Sequence, residues 1–288
     1  MNQISKTDLI LNPDGSVYHL NLLPEDIGDA IITVGDPGRV EEVSDFFDKV
    51  ELKKGKREFL THTGYIGKKR ISVVSTGIGT DNIDIVINEL DALVNIDLTS
   101  RRIKAKKKVL DIVRVGTSGT LQDDIPVNSI VVSEYAIGFD SLMHHYLRDL
   151  SDNEINLRDA INKELIDFNH LVPYVAEANT ELFSRANTNS LSGITLTAPG
   201  FYAPQGRNLR AKKAFPSMFE KLAGFNFNGK RITNLEMETA GIYGLAKVLG
   251  HKALSVSAIL ANRKKGEFSS DPRKVIMSAI VMAIKKII

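Results

Sequence analysis

No cysteine occurs among the 288 residues. Its absence excludes disulfides, a thiol nucleophile and a cysteine-ligated metal site, although it does not by itself reveal the compartment. An excess of one charge is missing too. The 37 basic and 35 acidic residues leave a formal net charge of +2, too even a balance to argue for a nucleic-acid or membrane partner. No run approaches the roughly 20 apolar residues that span a bilayer, and residues 1–11 carry polar and charged groups that do not read as a secretory signal. A cytoplasmic protein is expected. Pro/Gly/Ser-rich linkers, internal repeats and low-complexity tracts are also lacking, so the length predicts one domain over residues 1–288. A hydrophobic content of 43% is enough for a sizeable core.

Strand and helix patterns alternate along the chain, which predicts an α/β sandwich around a mixed sheet. Strands are expected at 30–35, 57–63, 70–76, 111–115, 129–135, 193–197 and 252–260, with strand composition again at 231–233. A helix can start at Asp36-Pro37-Gly38 and carry Val40, Val43, Phe46 and Phe47 inward; another puts Ile83, Val86, Ile87, Leu90 and Val94 on one face. Longer helical patterns occupy 157–171, 205–219, 236–249 and 271–288, the last opening on Ser270, Asp271 and Pro272. Between Arg101 and Lys108 lie Arg101, Arg102, Lys104, Lys106, Lys107 and Lys108. Such a run can grip phosphates, but without interleaved aromatics it reads as a solvated loop or hairpin edge.

Four motifs carry chemistry. Asn234-Leu-Glu-Met-Glu-Thr-Ala-Gly241 sets Glu236 and Glu238 on either side of Met237, where a strand passes into a helix. Acids at a helix start also serve the helix dipole, so this motif has two readings. GDPGRV at 35–40 and VRVGTSGT at 113–120 pair glycines with Arg39 and Arg114, and Arg57 lies between them. Backbone amides and forked cations of this kind bind phosphate, although a single arginine beside a glycine is commonly a surface residue. PGFYAPQGR at 199–207 offers Gln205 and Arg207, an amide and a guanidinium suited to a planar ring edged with carbonyls and N–H groups, and Phe201 as an aromatic wall. Gly77 and Gly79 hint at a dinucleotide site, but Asn82 stands at the third glycine position and no acid sits convincingly at the end of a following strand some 20 residues later.

In order and approximate spacing these motifs resemble the nucleoside phosphorylases of the uridine phosphorylase type. The resemblance covers nearly the whole chain and is weakest at 146–173 and in the basic segment, which looks like an insertion relative to shorter bacterial members. It implies a three-layer α/β/α sandwich and a pentosyltransferase that splits uridine reversibly with phosphate into uracil and ribose 1-phosphate, in pyrimidine salvage. By the resemblance, Gly35, Arg39, Arg57, Arg114 and Thr117 match phosphate-binding positions; Phe201, Gln205 and Arg207 match the base site; and His19, Thr117, Met237 and Glu238 match the ribose site. Arg207, Gln205 and Arg114 would carry catalysis, and Arg263 belongs to a flap over the pocket. Arg57 and His19 match residues that relatives supply from a neighbouring subunit, which implies a homo-oligomer with shared sites, a dimer or a trimer of dimers.

Phosphate is the implied co-substrate and no cofactor is implied. Some relatives hold a monovalent cation at the dimer interface; Glu58 and Ile78 match its ligands, while Asn82 replaces the expected hydroxyl residue. Purine-specific relatives place an aspartate in the segment matching 255–263, where this chain has Ser-Val-Ser-Ala-Ile-Leu-Ala-Asn-Arg. A purine-type phosphorylase or nucleosidase and a noncatalytic nucleoside-binding protein of the same fold are the competing readings.

Overall fold

Ala30-Ile-Ile-Thr-Val34 is buried at every position, as a strand covered on both faces requires. This strand, β1, lies inside a mixed sheet in the structure, a computed structural model that describes residues 3–168, 171–185 and 190–288. The other strands are β2 (Lys49–Lys56), β3 (Phe59–Ile66), β4 (Lys69–Ser75), β5 (Ile96–Asp97), β6 (Arg102–Ile103), β7 (Asp111–Thr120), β8 (Ile130–Gly138), β9 (Tyr174–Glu177), β10 (Leu191–Thr197), β11 (Asn226–Phe227), β12 (Lys230–Glu236), β13 (Lys252–Asn262) and β14 (Glu267–Phe268). Helices are α1 (Gly38–Ser44), α2 (Thr80–Asn95), α3 (Asp152–Glu164), α4 (Thr180–Ser184), α5 (Met218–Ala223), α6 (Thr239–Leu249) and α7 (Pro272–Ile287).

The main sheet runs β11-β12-β10-β8-β13-β7-β1-β4-β3-β2, with β9 on β8 and β14 on β13. β7 pairs in parallel with both β1 and β13. At Leu235↔Gly119 β12 also meets β7, so β12, β10, β8, β13 and β7 form a closed circuit. α6 packs on β8, β9, β10 and β13 and against α2, while α7 packs on β1, β7 and β13. The result is the expected α/β/α sandwich with the mixed sheet as its middle layer. Tyr243 fastens α6 to the sheet: its hydroxyl donates to the Ser133 carbonyl and accepts from the Ser255 N–H, both at 2.8 Å. The main core surrounds β1, β7, α2, α6 and α7, and a second apolar cluster lies around β10, β12, α3 and α5.

Several expectations need correction. No helix spans 205–219. A 3-10 turn at Ala203–Gln205 stops at Gly206, which is left-handed (φ 73°), and Pro216 lacks the N–H that a continuing helix would use. The regular helix begins only at Met218. The helix expected at 157–171 starts earlier, at Asp152, because Ser151 and Glu154 form a capping box, and it ends at Glu164; positions 169 and 170 lie outside the described residues. α1 ends at Ser44, before Phe46 and Phe47, yet Phe47 is still buried.

β3 begins at Phe59 rather than at residue 57, since Arg57 sits in the turn after β2. That strand escapes detection because it is rich in lysine and alternates exposed with only half-buried positions, the composition of a protected sheet edge. In the basic segment β5 and β6 form a hairpin edge. There Arg101 donates to the Ser5 and Leu9 carbonyls, Lys108 pairs with Asp29, and Lys106 and Lys107 are exposed.

Candidate active site

Alternation along β7 points Arg114 and Gly116 to the same side of the sheet. The Arg114 guanidinium lies back over Gly116, where any β-carbon would overlap it. Buried Arg114 Nη2 donates to Glu238 Oε2 at 2.5 Å and lies 3.0 Å from Glu236 Oε2. Nη1 is left with Ser257 Oγ at 3.4 Å. Burial works against the Arg114 charge, but Glu236 and Glu238 outweigh it and hold the pKa above the ordinary arginine value.

The two carboxylates differ in their duties. Glu236, at the end of β12, accepts from Thr197 Oγ1 at 2.6 Å through Oε1, and from the N–H groups of Glu238 and Thr239, both at 2.9 Å, through Oε2. It therefore caps the start of α6, the helix-dipole role open in the sequence. Glu238 accepts from the Gly79 N–H at 2.8 Å through Oε1, and each of its oxygens keeps an unused lone pair. Burial raises the Glu238 pKa, Glu236 adds to the rise, and Arg114 with the Gly79 N–H only partly offsets it.

Arg39, near the start of α1, approaches from the other side. Its Nη1 donates to the Val115 carbonyl at 3.3 Å, its Nε is buried without a hydrogen-bond partner, and no carboxylate pairs with it among the described residues. Burial and then Arg114 push its pKa down. Two guanidiniums in such surroundings create a place for an anion.

At the opposite end, buried Gln205 accepts from Arg207 Nη1 at 2.8 Å through Oε1. Its amide NH2 is thereby left free to donate into the cleft. The Arg207 guanidinium stacks 3.6 Å from the centroid of the Phe201 ring, so that aromatic face supports Arg207 instead of standing open. Arg263 donates to the Gln205 backbone carbonyl. Burial, followed by the Arg263 charge, pushes the Arg207 pKa down to about 10. Arg207 remains a cation at neutral pH.

Gly35, Arg39, Arg114, Thr117, Phe201, Gln205, Arg207, Met237 and Glu238 all line one cleft of about 800 Å³. Leu260 and Ala261 form its wall in the segment expected to lack a carboxylate, while the Asn262 amide is committed to the Gln122 and Ile125 carbonyls. His19, Arg57 and Arg263 do not line it. Glu89 holds His19 through the ring Nδ1 at 2.7 Å and through its backbone N–H. Arg57 is exposed at φ 56°. Sequence reasoning missed the bracing role of Glu236, the space supplied by Gly116, and the exposed Phe268 on the cleft rim; the Glu-x-Glu and Arg-x-Gly spacings were the available signals for the first two.

Glu58, Ile78 and Asn82 also reach the rim. Asn82 packs its amide nitrogen, a donor, against Gly77. One chain thus brings a single carboxylate, Glu58, to the place where relatives hold a monovalent cation, which is a poor fit for an ion held by this chain alone.

The fold and the arginine-lined cleft suit a phosphorylase, and the chain belongs to the phosphorylase superfamily, whose family model matches residues 29–287. A uridine phosphorylase of Thermococcus kodakarensis is 30% identical over 265 residues, spanning 91% of this chain and 83% of that protein. A DeoD-type purine nucleoside phosphorylase of Photobacterium profundum is 28% identical over 258 residues, spanning 89% and 91%. Among solved structures, a Trypanosoma brucei nucleoside phosphorylase described as showing uridine phosphorylase activity superposes with a TM-score of 0.86 at 29% identity, covering 97% of this chain and 99% of that one.

Proposed function

We propose that this cleft performs the reversible phosphorolysis of uridine. The observation that carries the reading is the Gln205–Arg207 pair, which shares its cleft with Arg39 and Arg114 while Leu260 and Ala261 occupy the wall where a purine would need an acid.

Phosphate held by Arg39 and Arg114 attacks C1′ as the C1′–N1 bond breaks, and the bonding pair leaves with uracil. Arg207 and the Gln205 amide stabilise the charge that develops on the ring carbonyls. The free lone pairs of Glu238 accept from the sugar hydroxyls, and Met237 forms an apolar wall. Holding both reactants in one cleft makes the attack effectively unimolecular. Ribose 1-phosphate and uracil are the products, and no cofactor beyond phosphate takes part.

Arg57 and His19 serve the site of a neighbouring subunit in this reading. Arg57 supports it by keeping an exposed, left-handed turn position, a strain of a kind that persists at functional sites. The assembly is then a homo-oligomer working in cytoplasmic pyrimidine salvage.

The test is uridine cleavage followed by absorbance with and without phosphate, with inosine as a control. Phosphate-dependent cleavage with little turnover of inosine is expected. Equal rates without phosphate would establish a hydrolase, and comparable inosine turnover would overturn the pyrimidine assignment.

A further inference from the structure

The Glu236 carboxylate is buried in the candidate site and is almost saturated. Its Oε1 takes the Thr197 hydroxyl, and its Oε2 takes two N–H groups from the start of α6 and lies 3.0 Å from Arg114 Nη2. Few lone pairs remain for a substrate. Yet the group joins three parts of the site: β10 through Thr197, the Met237–Glu238 turn through the backbone, and β7 through Arg114.

We infer that Glu236 is a positioning residue that aims the Arg114 guanidinium at phosphate. With Nη2 held between Glu236 and Glu238, Nη1 is fixed over Gly116 in the cleft, where Ser257 Oγ at 3.4 Å is its one hydrogen-bond partner among the described residues. Without the Glu236 contact, Arg114 can turn both nitrogens onto Glu238. That fork is the preferred geometry for an isolated arginine and carboxylate. It would withdraw Nη1 from the anion and cover the carboxylate that faces the sugar.

Geometry, and not the negative charge alone, is then the reason for a glutamate here. A mere field effect has the opposite sign: removing a nearby negative charge should tighten anion binding. Glu236→Asp keeps the charge but is one methylene too short to reach both Arg114 and the α6 amides. Glu236→Gln keeps the length and loses the charge.

Binding of inorganic phosphate alone, measured by equilibrium dialysis, separates the cases. Glu236→Asp should bind phosphate about 10-fold more weakly, the scale of one lost charge-assisted hydrogen bond, and in turnover its KM for phosphate should rise more than kcat falls; Glu236→Gln, whose oxygen still reaches Arg114, should lose less. Parent-like affinity in Glu236→Asp, or tighter binding in Glu236→Gln, overturns the inference. The unaltered protein supplies a readout that no folding defect can obscure. Before phosphate is added, nitrogen NMR of labelled arginine should show Arg114 with slowly rotating, distinct Nη groups, and a freely averaging guanidinium overturns the inference. It rests on the proposed phosphorolysis: a parent protein that binds no phosphate removes both, whereas a parent that binds it no better than Glu236→Asp removes only the role of Glu236.

Discussion

The Arg114 guanidinium occupies the space that a side chain at position 116 would need, so Arg114 and Gly116 form one structural unit on β7. A flexible side chain could normally yield to a methyl group at little cost. This one is buried between Glu236 and Glu238 and cannot move without breaking those contacts.

Gly116→Ala should therefore displace Arg114 and lower kcat/KM by roughly 100-fold, the scale of a misplaced reactant. Saturation curves in phosphate check it: the loss should appear in the phosphate dependence, and a variant that saturates like the parent would contradict the coupling.

Arg207→Ala should lower kcat by roughly two to three orders of magnitude, as removal of an oxyanion donor does. Arg263→Ala should have a smaller effect, about 10-fold, because it removes one bond that steadies the Gln205 backbone. Steady-state kinetics with uridine distinguish them, and a loss confined to KM in Arg207→Ala would mean uniform binding of ground and transition states.

How much of this site was legible in the sequence depended on how locally each part is built. VRVGTSGT could be read because its arginine and glycines are neighbours along one strand, although the seat of Arg114 over Gly116 was missed, and PGFYAPQGR because Gln205 and Arg207 meet within two positions. The stretch after Gln205 misled because helical spacing and individual burial look alike. Met218 and Phe219 enter the second core, with Phe215 packed against it, while Gly206 and Pro216 break the backbone before Met218. The contacts of Glu236 were hidden for another reason: they join β7, β10 and α6, which only the folded sheet brings together.

Glu238 should give the enzyme an acid limb. Its ionised form is the one proposed to accept from the sugar, and burial together with Glu236 raises its pKa above the ordinary 4.5. As pH falls, protonation thus begins earlier than for a solvated glutamate, and kcat/KM for uridine should decline at a pH above 4.5. Glu238→Gln, neutral throughout, should lose this limb together with most of the activity. A pH profile in which parent and variant share the same acid limb would assign it elsewhere.

Arg57→Gly should remove function without harming the fold. Relief of a left-handed backbone, about 1 kcal/mol, roughly offsets the greater chain entropy of glycine, so the melting temperature should hold. Mixed with Arg114→Ala chains, it should recover part of the activity if Arg57 serves a neighbour, because a mixed dimer then contains one site with both lesions and one with neither. No recovery despite demonstrated subunit exchange would make Arg57 a residue of its own subunit.

The pairing of Leu235 with Gly119 closes five strands into a ring, and Arg114, Glu236 and Ala261 are all mounted on it. A ring cannot splay as an open sheet edge can, so the spacing of Arg114, Glu236 and Ala261 is set like the jaws of a fixed gauge. Phe201 and Phe268, both exposed at the cleft, belong to segments outside the ring. Arg114, proposed for the anion, is thus carried by a rigid frame and the residues proposed for the base by a loop beside it: substitutions in the ring should be read in the phosphate dependence, and those at Gln205 and Arg207 in the departure of the base.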